Sequence, residues 1–81
     1  MEITVLAFGR LRELLGFSER SIRVPVAACI DDVWGILAAE VPTIAGLRAS
    51  TRIACNGALA PGTCALQDGD DLALLPPVSG G

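Results

Sequence analysis

With 81 residues, 52% of them apolar, the chain is long enough for one hydrophobic core and too apolar to remain disordered. Its net charge is −3, and its six basic residues are all arginines scattered along the sequence, so no stripe exists to follow a phosphate backbone and nucleic acid is not an expected partner. Apolar runs such as residues 24–30 and 72–75 fall far short of the roughly 20 residues that cross a bilayer, and the Met1-Glu2 start carries an acid where a secretory signal carries a base. No membrane association is expected, and the cytoplasm is the expected location.

Residues 2–8, EITVLAF, are β-branched and apolar almost throughout, which predicts a strand buried on both faces. Leu11, Leu14 and Leu15 follow at helical spacing between Gly9 and Gly16, so a short helix closed by a C′ glycine comes next. Residues 19–25 alternate polar and apolar and end at Pro25, the pattern of an edge strand wet on one side.

Ile30, Val33, Trp34, Leu37 and Val41 place one apolar face on a main helix over residues 30–41. Asp31 and Asp32 sit in its first turn, where they complement the positive end of the helix dipole, and Pro42 ends it. Trp34 lies on the apolar stripe and is expected in the core, while Gly35 suggests close packing against a strand. Residues 43–49 can add one more helical turn. Asn56-Gly57 between two apolar runs is the strongest short-range hairpin signal, because a type I′ turn needs positive φ at both central positions. A second turn at Asp68-Gly69 leads into a final strand over residues 71–75.

The order β, short helix, β, long helix, β-hairpin, β gives an α+β fold, with the uniformly apolar first and last strands adjacent at the sheet centre. This is the ubiquitin-like β-grasp arrangement, a mixed four- to five-stranded sheet packed on one main helix. Residues 1–75 form the domain and residues 76–81 an extended tail.

The residue types limit the chemistry. There is no histidine, lysine or tyrosine, so most general bases, amine nucleophiles and phenolic donors are missing. Cys29, Cys55 and Cys64 form no C-x-x-C and are expected as reduced, buried filler. No spacing supports a metal site, and Asp68, Asp70 and Asp71 lack the pattern of a calcium loop. Attention therefore moves to the end of the chain. Pro76 and Pro77 hold the backbone extended, and Gly80 and Gly81 add no side chains. Taken as extended, the stretch from Pro76 to Gly81 spans roughly 20 Å. The residues alone admit two readings of it: a fraying tail, or an arm whose glycines let a carboxylate pass down a narrow slot.

Three stretches, FGRLRELLG from Phe8 to Gly16, NGAL with LQDGDDLALLPP, and the terminal VSGG, keep an order and spacing that resembles one family over essentially the whole chain. It is similar to the small subunits of molybdopterin synthase, which are ubiquitin-like sulfur carriers. Carriers for thiamine or cysteine biosynthesis and ubiquitin-like protein modifiers share the Gly-Gly end, and an idle β-grasp interaction module is a further alternative.

The resemblance implies that Gly81 is the reactive residue. A partner adenylyltransferase would use ATP and magnesium to convert its carboxylate into an acyl-adenylate, and a sulfur donor protein would then form a thiocarboxylate. Pro76, Pro77, Val78, Ser79 and Gly80 would thread the tail into a partner. The implied acceptor partner is the synthase large subunit, which places the sulfur beside cyclic pyranopterin monophosphate, in a heterotetramer. Phe8, Leu59 and Leu75 match positions where the family presents apolar side chains to partners. No cofactor is expected on this chain itself, and catalytic groups acting on the pterin would come from the partner.

Overall fold

A computed structural model describes residues 1–77. In chain order it contains β1 (Glu2–Ala7), α1 (Gly9–Leu15), β2 (Glu19–Arg23), α2 (Ile30–Glu40), a 3₁₀ segment (Pro42–Ser50), β3 (Arg52–Cys55), β4 (Ala58–Leu59) and β5 (Asp71–Leu75). The strands form one mixed sheet in the order β2-β1-β5-β3-β4. β1 and β5 lie together at its centre and run parallel, with Val5 opposite Leu72 and Ala7 opposite Leu74, while every other pairing is antiparallel. The β-grasp arrangement expected from the element order is therefore the observed fold.

Pleating decides what the sheet buries. Ile3, Val5 and Ala7 of β1, Leu72 and Leu74 of β5, and Ile53 of β3 share a core with Ile30, Val33, Trp34 and Leu37 of α2. Burying each large aliphatic side chain contributes about 1.5–3 kcal/mol, so this one layer is the main source of stability. The alternating residues Thr4, Leu6, Ala73 and Leu75 are only half-buried. The central strands are thus covered on one face and not on both, contrary to the expectation from their composition. Apolar side chains persist on the second face, which is why composition alone read as double burial.

The helix ends explain themselves locally. Gly16 closes α1 with φ +81°, the left-handed conformation that glycine takes without strain, and its N–H donates to the Arg12 carbonyl. At the start of α2, Cys29 is the N-cap. Its backbone N–H donates to Asp32 Oδ2 at 2.9 Å, and its sulfur accepts from the Asp32 N–H in return. Beyond Val41, Pro42 converts the chain to 3₁₀ turns, and Ile44 drops fully into the core. Thr51 Oγ1 donates to the Leu47 carbonyl at 2.7 Å, closing that segment before β3.

Two sequence expectations need correction. Gly35 is exposed, and a Cβ there would meet no atom within 4 Å, so it marks no close approach to a strand. The three cysteines are half-buried instead of fully buried. Each sits at a loop or strand end where the core thins, and Cys29 and Cys55 make polar contacts there.

Candidate functional site

The end of β5 lies where several elements converge. Leu75 is half-buried opposite Arg52 of β3, and the chain passes directly into Pro76, half-buried, and Pro77, exposed. Gly9, at φ +54°, lies against Pro76: a Cβ at Gly9 would sit 3.0 Å from Pro76 Cγ. The first turn of α1 therefore packs against the root of the tail. Val78, Ser79, Gly80 and Gly81, the other tail residues of interest, lie outside the described residues.

Around this root, large apolar side chains face solvent. Phe8 is 46% exposed and Leu59 60%. Phe8 has the extended backbone of an N-cap and stands two residues after Leu6, so strand parity puts it on the sheet face away from α2. Leu59 pairs with Ala54, which pairs with Ala73 of β5, so it belongs to the same face. A groove of about 700 Å³ runs here, lined by Ser50, Arg52, Ala54, Gly57, Leu59, Leu75, Pro76 and Pro77. Leu59 and Leu75 are thus brought together with the tail root. Phe8 is not part of that groove and stands beyond it, next to Gly9.

Arg52 was not evident as a site residue from sequence. The signal lay in strand parity, since Arg52 and Ala54 alternate with Ile53 and Cys55, but the exposed face became identifiable only with the pairing register. Among the described residues its guanidinium has no ion-pair partner, whereas Arg20 pairs with Glu40 at 2.6 Å and Arg48 with Asp31 at 3.0 Å.

The opposite end of the sheet is closed by polar contacts. Asn56 (φ +50°) and Gly57 (φ +87°) supply the two positive φ values of the expected hairpin turn. Asn56 Nδ2 donates to Asp70 Oδ1 at 2.9 Å, and its Oδ1 accepts from the Asp71 N–H at 2.9 Å. Asp70 Oδ2 accepts from the Gln67 N–H at 2.8 Å, and Asp68 Oδ1 from the Glu2 N–H at 2.7 Å. The Gln67 N–H, followed by the Asn56 amide, holds the Asp70 carboxyl below its usual range. These aspartates tie turns, and no cluster of metal-ligating side chains occurs among the described residues. Burial, followed by Asp70, pushes the Cys55 thiol up, which disfavours the reactive thiolate. The described part of the molecule thus offers an exposed, partly apolar groove beside Pro76 and Pro77, with no assembled acid, base or nucleophile.

The mixed sheet, with parallel β1 and β5 at its centre and α2 packed on one face, is a β-grasp architecture. The chain belongs to the ThiS family, whose model matches residues 5–81, and is a ubiquitin-like sulfur carrier of that family. It is 31% identical over 81 residues to the molybdopterin synthase sulfur carrier subunit of Arabidopsis thaliana, covering all of this chain and 84% of that protein. It superposes with a TM-score of 0.88 and 27% identity on SAMP1 of Haloferax volcanii, a small archaeal modifier protein, covering 100% of both chains. The likeness extends, at a TM-score of 0.70, 27% identity and 100% of both chains, to a chain of the complex of subunits 1 and 2 of molybdopterin-converting factor from Helicobacter pylori. Among the described residues no helix is long and apolar enough to cross a membrane.

Proposed function

We propose that this carrier acts through the carboxyl group of Gly81, with residues 1–75 as a docking body and residues 76–81 as the delivering arm. The observation that carries the reading is the passage of the central strand β5 into Pro76-Pro77 beside exposed Leu59 and Phe8, in a chain matched by a sulfur-carrier family through residue 81. A carboxylate is a poor electrophile because hydroxide and oxide are poor leaving groups. In the proposed cycle a Gly81 oxygen attacks the α-phosphorus of ATP on an adenylyltransferase, pyrophosphate departs, and an acyl-adenylate remains. Hydrosulfide, released from a donor protein's persulfide by a thiol reductant that is oxidised to the disulfide, then adds to the acyl carbon and AMP leaves, giving a thiocarboxylate. Its polarisable anionic sulfur is a good nucleophile, as a thiolate is compared with a thiol. Holding that sulfur on an arm within a partner's pocket supplies the proximity and orientation of a bound reactant.

For the acceptor, we propose cyclic pyranopterin monophosphate held by a synthase large subunit, in a heterotetramer of two small and two large chains. Likeness to a molybdopterin synthase sulfur carrier subunit and to a chain of a two-subunit converting factor supports this reading. A dithiolene contains two sulfurs, so two loaded tails, or one tail loaded twice, are consumed per pterin. The scarcity of acid-base side chains on the carrier fits a division of labour in which the partner acts on the pterin. A second reading has its own support, because the chain superposes over its full length on an archaeal modifier with a TM-score of 0.88. In that reading the same activated carboxyl forms an isopeptide bond with a protein lysine. Incubating the loaded chain with the large subunit and the pterin precursor, and in parallel with cell extract, separates the outlets. Dithiolene formation without a ladder of conjugates supports the synthase reading; conjugates without dithiolene replace it with the modifier reading.

A further inference from the structure

The charge of the molecule is unevenly placed. Glu2, Asp68, Asp70 and Asp71 gather where β1 and β5 begin, whereas Arg52 lies at the other end of the sheet, opposite Leu75. Asp31, in the first turn of α2, is already engaged by Arg48, whose Nε and terminal nitrogen lie 3.1 and 3.0 Å from the same oxygen. Arg52 is exposed and lines the groove with Ala54, Leu59, Leu75 and both prolines. A partner that covers these apolar walls must also take the guanidinium out of water. Desolvating a cation without an acceptor is strongly unfavourable, whereas a carboxylate placed against its planar fork restores charge-assisted hydrogen bonds.

We propose that Arg52 is a specificity-determining contact of this carrier, and that the adenylyltransferase which activates Gly81 presents an aspartate or glutamate side chain to the groove at the tail root. This rests on the carrier reading above. The adenylyltransferase is the relevant partner because activation precedes both sulfur transfer and conjugation, so every outlet of the tail passes through it. An activating enzyme with an apolar or basic residue at that position would leave Arg52 buried and unpaired, and would discriminate against this chain. Arg52 does not act on the carboxyl itself. Its role is to favour encounter and to hold the docked complex, through the aliphatic stem on the groove wall and the charge at its tip.

The test is the ATP–pyrophosphate exchange that the adenylyltransferase of the source organism catalyses when this chain is supplied, measured for the wild type, Arg52→Glu and Arg52→Met at low and high salt. Arg52→Glu is expected to raise the KM for the carrier about tenfold or more with kcat unchanged. Arg52→Met keeps the stem and loses the charge, so its KM lies between the two and loses the salt dependence of the wild type. Both variants should keep the wild-type thermal midpoint, because the residue is exposed. An Arg52→Glu KM within about twofold of wild type, with the wild type active, overturns this inference alone. A wild-type chain that supports no exchange, with the enzyme active on another carrier, overturns the carrier reading and this inference with it.

Discussion

The two ends of the sheet are built on opposite rules. Where β1 and β5 begin, Asp68, Asp70, Asn56 and the backbone of Glu2, Gln67 and Asp71 exchange hydrogen bonds of 2.7–2.9 Å. Where β5 ends, Phe8 faces solvent, Arg52 has no ion-pair partner among the described residues, and Leu75 leads into Pro76 and Pro77, with exposed Leu59 lining the same groove. One end uses its side chains to fix the fold, and the other leaves them exposed, which is where the proposed partner would dock. On the proposed reading, stability and function are separable by position, even in a domain this small.

The sharpest way to break the comparison is at the arm. Appending one residue to Gly81 should abolish loading while leaving the thermal midpoint unchanged, because the proposed reactive carboxyl is displaced while the core of residues 3–74 keeps its sequence. Mass spectrometry of the uncleaved variant after the loading reaction checks this; normal loading would refute the role of Gly81. A paired substitution probes both ends next. Asn56→Ala removes two hydrogen bonds and a residue suited to positive φ, so it should lower unfolding free energy by about 1–3 kcal/mol, with loading of the folded fraction preserved. Leu59→Ser should change stability by only about 0.5 kcal/mol yet weaken partner binding, as truncation of an exposed apolar anchor does. Urea titration and partner affinity, measured on both variants, would blur the division if the effects were reversed.

The smallest effect is a pH dependence. The Asp70 carboxyl is held below its usual range by the Gln67 N–H and the Asn56 amide, so its folded pKa lies under its unfolded one. The stability it contributes is present at neutral pH, above the unfolded value, and is lost as pH falls through the depressed folded value. Asp32, depressed by the Cys29 N–H, and Glu40, depressed by its hydrogen bonds with Arg20, act in the same direction. Asp70→Asn should therefore flatten the acid limb of a stability curve measured below the ordinary aspartate range and leave its neutral-to-basic part parallel to wild type.

Much of the fold was legible because local chemistry and tertiary context agree. Asn56-Gly57 announced a turn that needs two positive φ values, and the Ile30 to Leu37 stripe announced the face that α2 buries. The failures come from facts that only the tertiary structure supplies. The composition of β1 and β5 could not say that one face stays half-exposed, since apolar residues occupy both faces of these central strands. Cys29 is an unusual N-cap residue, so the exchange with Asp32 that starts α2 was read only as a dipole effect. Gly35 suggested a contact that does not exist, because a glycine on a solvent-facing helix surface has the same sequence signature as one under a strand. Arg52 passed unnoticed for a related reason: its importance depends on Leu75 and Leu59 being its neighbours, and the sequence separates it from Leu75 by a hairpin and a long loop.

The account turns on Gly81, and the most direct measurement is the intact mass of the chain after incubation with the adenylyltransferase of the source organism, ATP and a sulfur source. A mass rise matching one oxygen replaced by sulfur, mapped to the Gly81 carboxyl, is the predicted result. An unchanged mass, with the same enzyme and sulfur source shown to load another carrier, would contradict it.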